Sequence, residues 1–249
     1  MAEFHVVIPA RFASSRFPGK PLALLAGRPM IEHVHQRALA SGAGEVIVAT
    51  DDERIATAAH GAGARVAMTR SDHASGTDRV AEVAVARGWA ADDIVVNVQG
   101  DAPLTPASSI RQVALLLAAH PQAAMATLCV PIEDATRYAS PHVVKVVMDR
   151  SGRALYFSRA AIPSTAHGSG GLPRAWRHLG IYAYRVAALL QLSASAPCEL
   201  ERSEQLEQLR ALWLGMEIRI AAAEERHGPD VDTPEDVAAV EAWMAEKHF

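Results

Sequence analysis

Apolar runs and amphipathic stretches alternate along the first half of the chain, and together they predict strands and helices in turn. Residues 6–8 form a short apolar run that suits a buried strand, which we expect to stop at Pro9. After Pro29, which suits the first turn of a helix, Ile31 and Val34 recur at helical spacing. The pattern therefore predicts a buried strand, a polar loop and an amphipathic helix.

The same alternation continues beyond this helix. Residues 45–51 and 65–69 read as strands, with a short helix at 52–61 between them, and the apolar run at 94–98 reads as another strand. Such a succession predicts a parallel sheet with helices on both faces. Ligands in these sheets bind beyond the carboxyl ends of the strands. We therefore expect the loop at residues 11–20 to lie at a binding edge, beside the residues that follow the other strands.

Two more helices and a strand are predicted in the middle of the chain. Ser75 or Thr77 is expected to cap a helix, because a hydroxyl oxygen at that position accepts from a free backbone N–H. Residues 106–120 show a second helical pattern, and the apolar run at 125–132 predicts a strand.

The pattern changes after residue 135. Strands are predicted at 143–149, 154–163 and 178–184, and no long helix separates them. This arrangement favours an antiparallel or mixed subregion at about 135–200, inserted into a single domain that spans the chain and suited to a subunit contact. The tract at 164–176 is rich in Gly, Ser and Pro and predicts a mobile loop.

The carboxyl-terminal part returns to helices around one strand. Residues 203–213 are predicted to form a helix with three apolar side chains on one face, which are Leu206, Leu209 and Trp213. A strand follows at 217–224. The last helix is expected to be capped by Thr233, with Pro234 in its first turn and Asp232 left free to point elsewhere.

Composition narrows the class of protein. Half of the 249 residues are hydrophobic and about a fifth are charged, which is ordinary for a soluble globular protein. The net charge of −4 argues against a nucleic-acid-binding surface. With two cysteines, Cys129 and Cys198, the chain offers neither a disulfide framework nor a CxxC metal knuckle. We find no signal peptide and no membrane span, and so expect a cytoplasmic protein.

The loop after the first strand carries the first candidate chemistry. Arg11, Arg16 and Lys20 bring three cations close together, and Gly19 precedes the lysine. Backbone N–H groups beyond a buried strand, together with forked and point-charge donors, suit a triphosphate. The loop is not a Walker sequence, and no GxGxxG follows a strand, so P-loop and dinucleotide proteins are disfavoured. A solvated basic loop is the alternative interpretation.

The second candidate stretch is the end of the strand at 94–98, where the sequence continues as QGDAP. Asp101 is a carboxylate at the end of a central strand, on the edge expected to hold the basic loop, which favours a Mg²⁺ ligand. Helix capping by Asp101 is the alternative, and it is disfavoured because the next helix is predicted to start only at Pro106 and Ala107.

Ten motifs that follow one another along the chain identify its family more specifically than any single motif does. They are PARFASSRFPGKPL, GRPMIEHV, VATDD, MTRSDHASGTDR, VNVQGDAP, VKVV, ALYFSR, HLGIYAYR, LEQLRALW and VDTPEDV. Over essentially its whole length the chain resembles the 3-deoxy-D-manno-octulosonate (Kdo) cytidylyltransferases, the CMP-Kdo synthetases of Gram-negative bacteria. The resemblance implies a Rossmann-like three-layer α/β nucleotide-diphospho-sugar transferase fold with a mixed sheet and a small inserted β-rich dimerisation subregion.

The resemblance also implies an activity. CTP and Kdo would react to give CMP-Kdo and pyrophosphate for lipopolysaccharide synthesis, in a cytoplasmic homodimer. Mg²⁺, the implied cofactor, would be held by Asp101 and Asp232. The triphosphate would be held by Arg11 and Lys20, with Arg16 nearby.

The remaining implied positions concern the cytidine and the sugar. The cytidine segment falls around Ser75 and Gly76. Gln99 falls at the junction of the two substrates. The other sugar-contacting positions are Arg159, His178, Tyr182, Glu207 and Gln208. In the implied mechanism the cations and Mg²⁺ neutralise the triphosphate, so that the anomeric hydroxyl of a second anion can attack the α-phosphate in line.

Two departures from the family pattern leave other functions open. Ala102 replaces the glutamate of the usual QGDEP motif, and the loop between Pro163 and Trp176 is shorter than in the family. One alternative is a cytidylyltransferase for another acidic sugar, such as a sialic acid or 8-amino-Kdo. The other is a nucleotide-binding regulator that has lost catalysis.

Overall fold

A computed structural model describes residues 3–13, 17–165 and 171–246. The strands are β1 (His5–Ala10), β2 (Leu24–Leu25), β3 (Arg28–Pro29), β4 (Glu45–Thr50), β5 (Arg65–Met68), β6 (Ile94–Asn97), β7 (Met125–Ile132), β8 (Lys145–Met148), β9 (Ala154–Ser158), β10 (Ala175–Arg185) and β11 (Ile218–Ala222). The helices are α1 (Met30–Ala40), α2 (Glu53–Gly61), α3 (Gly76–Arg87), α4 (Ala107–Ala118), α5 (Ala135–Ala139), α6 (Val186–Ala194), α7 (Glu199–Glu204), α8 (Gln208–Trp213) and α9 (Asp236–Glu246).

One mixed sheet organises these elements. Its strand order is β11-β7-β10-β6-β1-β4-β5, and β8 and β9 extend it beside β10. Along this path β10 runs antiparallel to both of its neighbours, β6 and β7, whereas the other paired neighbours are parallel. The mixed sheet expected from the sequence is therefore confirmed.

Helices cover both faces of the sheet, as the strand–helix rhythm predicted. Val6 and Ile8 of β1 pack with buried residues of α1, α2 and α4 on one face. Val7 points to the other face and packs with α3, α6 and the α8 region. This alternation follows from the two-residue period of a strand, and it gives three layers. Among the helices of the described residues, none combines the length and the apolar character needed to span a bilayer.

The first strand continues past Pro9, contrary to the sequence prediction. Pro9 pairs with Ala49 and Ala10 pairs with Thr50 on the β4 side. The proline instead ends the pairing on the β6 side, which stops after Val7. Residues 5, 7 and 9 direct their backbone groups toward β6, so the missing N–H of Pro9 removes a bond on that side only.

Most of the other predicted elements are present, but residues 203–213 do not form one helix. Gln205 adopts a left-handed conformation with φ of 53° and ends α7. A second helix, α8, begins at Gln208. Leu206 and Leu209 are buried as predicted. The prediction that Trp213 shares their buried face is wrong, since 59% of this residue is exposed. The break rotates the second helix away from the predicted common face.

The last helix packs in a small separate cluster. Val240 and Met244 join Leu25, Met30 and Val231 there. The helix begins at Asp236, later than predicted, and the Asp236 carboxylate accepts hydrogen bonds from the backbone N–H and the hydroxyl of Thr233. The cluster fixes the chain at Val231, the residue next to Asp232.

Gly100 allows two backbone segments to approach at the end of β6. A Cβ atom at this position would lie 2.8 Å from the carbonyl oxygen of Pro9. We predict that Gly100→Ala lowers the free energy of unfolding by about 1–3 kcal/mol, because neither rigid backbone can move aside easily. Urea unfolding is the measurement.

Gly61→Ala is the matched control. A Cβ at Gly61 would meet nothing within 4 Å, and this residue lies in α2. The control should therefore be neutral or stabilising by up to about 1 kcal/mol. Equal effects of the two substitutions would contradict the close-approach argument.

Candidate functional site at the carboxyl edge of the sheet

Two cavities adjoin at the carboxyl edge of the sheet. The smaller, of about 180 Å³, lies between the loop after β1, the start of α3 and the end of β6. The larger, of about 1200 Å³, extends from the end of β6 along β7 and β10 to the segment at 223–232. Gln99 and Asp101 line both cavities. The sequence predicted this edge as the binding edge, because parallel strands end there.

Lys20 joins the segments that carry the two predicted metal ligands. Its Nζ donates to Asp101 Oδ2 at 2.6 Å and to the carbonyl oxygen of Val231 at 2.9 Å. Asp232 Oδ1 lies 3.8 Å from the same Nζ. The lysine is 8% exposed, and a buried ammonium requires such partners. The arrangement brings both carboxylates to one point.

The loop after β1 folds back to place this lysine. Gly19, with φ of 73°, donates its N–H to the Phe12 carbonyl at 2.9 Å, and a Cβ at Gly19 would lie 2.9 Å from the Phe12 ring. The guanidinium of Arg54 lies over the Phe12 ring, with its central carbon 3.4 Å from the ring centroid. Glycine is required here because the left-handed conformation and the ring both exclude a side chain.

The start of α3 forms the opposite wall of the smaller cavity. Ser75 is the N-cap of this helix, and its Oγ accepts from the Asp78 N–H at 3.1 Å, which completes a capping box. The prediction of a cap at this position is confirmed. Gly76 approaches the ring of Pro9, since a Cβ there would lie 3.3 Å from Pro9 Cγ. Free N–H groups of the first helical turn face a cavity that suits an anion or a polar base.

The residues predicted to bind the nucleotide lie together. They line the smaller cavity and are Arg11, Lys20, Ser75, Gly76 and Gln99. Arg16, the remaining predicted nucleotide residue, lies outside the described residues. The cavity also contains residues that sequence analysis did not assign, among them His73 and Arg79. Arg79 is 3% exposed and lies 3.4 Å from Asp51. Arg79 ends the motif SDHASGTDR, in which Ser75 and Gly76 were assigned to the cytidine, and this position could have identified it as a further residue of the cavity.

His178, predicted to contact the sugar, lies in the wall of the larger cavity. Its Nε2 is 2.9 Å from Thr127 Oγ1, and its ring meets that of Tyr182 at 5.2 Å. Burial, with a smaller effect of the neighbouring Arg177, lowers the pKa of His178 to about 3. The imidazole is therefore neutral near pH 7 and suits hydrogen bonding rather than proton transfer.

Glu207 and Gln208 lie on the other side of the sheet's end, next to the start of α3. Burial raises the pKa of Glu207, and hydrogen bonds from Thr77 and Ser75 partly offset the effect. Gln208 is buried, and its Nε2 has no hydrogen-bond partner among the described residues. Glu207, Gln208 and Tyr182 line neither cavity.

The side chain of Arg159 is held by backbone carbonyl groups. Its Nε donates to the Glu204 carbonyl at 2.8 Å, and Nη1 donates to the Pro141 carbonyl at 3.0 Å. Arg159 lines neither cavity. In the described chain its guanidinium joins the β8–β9 region to the end of α7. A sugar-binding role for Arg159 stays a prediction.

The two aspartates around Lys20 have the donor set that Mg²⁺ prefers. Carboxylate oxygens suit this ion, which retains waters and takes further oxygens from phosphates, so a protein need supply only one or two ligands. Asp101 and Asp232 already share one cationic group. No cluster of three or more metal-binding side chains occurs in residues 3–13, 17–165 and 171–246. The arrangement fits a two-aspartate site completed by substrate.

Neither of the two cysteines suits a nucleophilic role. Cys129 is fully buried in β7, and burial raises the pKa of its thiol to about 12. Cys198 is also buried and caps α7. The sequence analysis found no disulfide framework and no CxxC motif, and the structure shows both cysteines as free, buried thiols.

The three-layer fold and the cation-rich cavity at its carboxyl edge define a nucleotide-binding α/β protein. The sequence pattern of the cytidylyltransferase family matches residues 5–218. A 3-deoxy-manno-octulosonate cytidylyltransferase of Thioalkalivibrio sulfidiphilus is 54% identical, over 97% of this chain and 98% of the relative. The protein of the same name from Pseudomonas fluorescens is 55% identical, over 95% of this chain and 96% of the relative.

Solved structures agree with these relatives. A CMP:2-keto-3-deoxy-manno-octonic acid synthetase in complex with CTP is 42% identical, with a TM-score of 0.91 over 99% of this chain and 100% of that chain. A 4-diphosphocytidyl-2C-methyl-D-erythritol synthase, at 14% identity, has a TM-score of 0.65 over 98% of this chain and 99% of that chain, and so shares the fold. The chain therefore belongs to the cytidylyltransferase family, within its 3-deoxy-manno-octulosonate cytidylyltransferases.

The pKa of His178 predicts a dependence of stability on pH. A histidine in an unfolded chain has a pKa of about 6.5, whereas burial holds that of His178 at about 3. The unfolded state therefore binds more protons below pH 6.5. The stabilisation of the folded state by the neutral His178 is complete above pH 6.5. It is lost as the pH falls toward 3, at up to about 1.4 kcal/mol per pH unit.

Urea unfolding at pH 7, 6 and 5 checks this expectation. The free energy of unfolding of His178→Gln should fall less steeply with decreasing pH than that of the wild type, because glutamine carries no titrating group. The exposed His60→Gln is the control and should keep the wild-type slope. Identical slopes for wild type and His178→Gln would contradict the buried neutral imidazole.

Proposed function

We propose that this protein transfers the cytidylyl group of CTP to Kdo, releasing pyrophosphate and forming CMP-Kdo. The observation that carries the proposal is the contact of Lys20 with Asp101 and Asp232, at the junction of two cavities. It combines cations for a triphosphate with carboxylates for a divalent ion. The relatives and the CTP-bound structural neighbour support CTP and Kdo as the substrates.

The smaller cavity would hold CTP. Arg11 and Lys20 would neutralise the triphosphate, with Arg16 as a further predicted contact. Ser75 and Gly76 would lie against the cytidine, where Gly76 lies close to the ring of Pro9. Neutralisation matters because Kdo is itself an anion, and two like charges repel strongly in a cavity of low dielectric constant.

The larger cavity would hold the sugar acid. Gln99 borders both cavities and would contact both substrates, and neutral His178 would hydrogen-bond the sugar. Arg159, Tyr182, Glu207 and Gln208 remain predictions for the sugar side. The anomeric oxygen of Kdo would form a bond to the α-phosphorus as the bond to the bridging oxygen breaks. Pyrophosphate would leave, and the hydroxyl proton would pass to solvent.

Asp101 and Asp232 are proposed as the ligands of Mg²⁺. When bound, this ion supplies charge neutralisation at the α-phosphate and lowers the pKa of the attacking hydroxyl. The role of Lys20 is to hold the two carboxylates close together despite their mutual repulsion, while also offering charge to the phosphates. Ala102 lies in the lining of the larger cavity next to Asp101, so the replaced glutamate leaves both aspartates in place.

The wider setting belongs to the same proposal. CMP-Kdo would serve lipopolysaccharide synthesis, with the enzyme acting in the cytoplasm as a homodimer and without a nucleic-acid partner. The family resemblance supports the pathway, the compartment and the dimer. The net charge of −4 is consistent with small-molecule anions bound by local cations only.

A comparison of acceptors tests the reaction. Pyrophosphate release is measured with CTP and Mg²⁺, using Kdo, 8-amino-Kdo and N-acetylneuraminate in turn. We expect release with Kdo at a kcat/KM at least about tenfold above the other two acceptors, a difference that one missing hydrogen-bonded contact supplies. Preference for another acceptor would reassign the sugar, and binding of CTP without release for all three would indicate a regulator.

Substitution of the aspartates tests the metal site. We expect Asp101→Asn and Asp232→Asn to lower kcat by about a hundredfold or more, in line with the loss of electrostatic stabilisation at a reacting phosphate. The second readout is Mn²⁺ binding in the presence of a non-hydrolysable CTP analogue, measured by electron paramagnetic resonance, and it should weaken in both variants. Asp72→Asn is the control, since the Asp72 side chain is 73% exposed and lines neither cavity. Unchanged Mn²⁺ affinity in the aspartate variants would refute the assignment.

A further inference from the structure

Phe12 joins the two ends of the basic loop that follows β1. Its ring is half buried and packs against the hydrophobic core between the sheet and helices α1, α2 and α4. The edge of the ring lies against Gly19, since a Cβ atom on that glycine would be 2.9 Å from Phe12 Cε2. The Phe12 carbonyl oxygen also accepts a hydrogen bond from the Gly19 N–H. The position of the ring therefore determines the position of the glycine.

Arg54, at the start of α2, covers this ring from outside the loop. The central carbon of its guanidinium lies 3.4 Å from the ring centroid, well within the range of a cation–π contact. The Arg54 side chain is 60% exposed, so it forms the solvent-facing cover of the ring. Arg54 lines neither cavity and does not reach the reacting groups of the proposed site.

Asp52 orients the guanidinium of Arg54. Arg54 Nε donates to Asp52 Oδ1 at 3.0 Å, and Nη2 donates to Asp52 Oδ2 at 2.6 Å, which makes a two-point contact. The same carboxylate caps α2 by accepting from the Arg54 backbone N–H at 2.9 Å. The hydrogen bonds from Arg54 lower the pKa of Asp52. Because a free arginine side chain samples many rotamers, this fork orders the guanidinium over the ring before a ligand binds.

We infer that Arg54 is a positioning residue for the nucleotide, because it clamps Phe12 and so fixes the loop that presents Arg11 and Lys20 to the triphosphate. The inference rests on the proposed function and deepens it, since it adds a residue outside both cavities that determines the affinity for CTP. Arg11 directly precedes Phe12, and Lys20 directly follows Gly19. Both cations of the smaller cavity are therefore attached to the clamped residues.

The contacts of Lys20 make the site sensitive to this clamp. Its Nζ reaches Asp101 at 2.6 Å and the Val231 carbonyl at 2.9 Å, so the backbone that carries it has little freedom to move. A displacement on the order of 1 Å is enough to weaken contacts of a positioned group substantially. Loss of the Arg54 cover frees the Phe12 ring to change its orientation, and the loop then has more conformations to lose when CTP binds.

Attraction of the nucleotide by the charge of Arg54 is the alternative explanation for any effect on CTP. An exposed cation near a binding site raises the local concentration of anions. The two-point ion pair with Asp52 opposes this explanation, because the carboxylate neutralises most of that charge at long range. The geometry instead uses the flat guanidinium as a cover, which a lysine ammonium cannot replace.

Hydrogen exchange of the Gly19 amide tests the clamp without any substrate. In Arg54→Met, which keeps a long unbranched side chain without the planar cation, this amide should exchange about three- to fivefold faster in NMR measurements. The factor corresponds to the loss of a cation–π contact at a partly exposed site. Arg54→Lys should lie between Arg54→Met and the wild type, because it keeps the charge and loses the two-point contact with Asp52.

Titration calorimetry with CTP and Mg²⁺ tests the consequence for the nucleotide. The Kd of CTP should rise about three- to fivefold in Arg54→Met, and the KM of CTP with it. The KM of Kdo and the kcat at saturating CTP should stay at their wild-type values, because the clamp acts on nucleotide binding. Phe12→Leu should also weaken CTP binding. Adding Arg54→Met to Phe12→Leu should then have no further effect, since the ring is already absent.

Arg65→Met is the matched control. Arg65 is also an exposed arginine in an ion pair, with Glu45 at 2.8 Å, and it lines neither cavity. It begins β5 and so lies at the end of that strand away from the carboxyl edge. Arg65→Met should keep the wild-type exchange of the Gly19 amide and the wild-type Kd of CTP.

Four results would overturn the inference. They are unchanged Gly19 exchange in Arg54→Met, an unchanged Kd of CTP in that variant, wild-type affinity in Arg54→Lys beside weakened Arg54→Met, and additive effects of Arg54→Met and Phe12→Leu. The third result would assign the effect to charge alone, and the fourth would show that Arg54 does not act through the ring. These results leave the proposed reaction intact.

Failure of the proposed function gives a different set of results. If the wild type binds CTP but releases no pyrophosphate with Kdo, the proposed acceptor is wrong and the role of Arg54 in nucleotide binding stands. If the wild type does not bind CTP, both the proposed function and the nucleotide role of Arg54 are overturned.

Discussion

The contact of Lys20 with Asp101, Val231 and Asp232 is the interaction on which the site depends. Lys20 and Val231 are 211 residues apart in the sequence, and Lys20 and Asp101 are 81 apart, so one side chain joins three distant segments. A buried ammonium is unfavourable without partners, and two neighbouring carboxylates repel each other without a cation. Each group therefore stabilises the position of the others, and the loop after β1, the end of β6 and the segment before α9 meet at one place.

The antiparallel strand β10 creates the second half of the site. In an all-parallel sheet the residues of this strand would end at the same edge as those of β6 and β7. Because β10 runs in the reverse direction, its first half, with Arg177 and His178, emerges at the carboxyl edge of its neighbours. The pairing of β8 with β10 extends this half further. The strand direction thus places basic and aromatic side chains opposite the aspartates held by Lys20.

Local signals in the sequence identified much of this site because they act through near neighbours. Gly19 before Lys20, the capping serine before α3 and the carboxylate after an apolar strand each belong to a short segment, and the structure places all three at the carboxyl edge of the sheet. The error at 203–213 has a local cause that the pattern could not reveal, since Gln205 in a left-handed conformation is uncommon for a residue with a side chain. The separation of Arg159 from the cavities also depends on carbonyl groups far away along the chain.

The sequence by itself determined the alternation of strands and helices, the sheet edge at which the candidate site lies, and the family, because period, capping and motif order are properties of short stretches. Only the tertiary structure decided how the stretches meet. It showed that Lys20 links both aspartates and that β10 lies reversed between β6 and β7. Charge pairing and burial depend on distances between residues remote in the chain, and a linear pattern carries no measure of those distances.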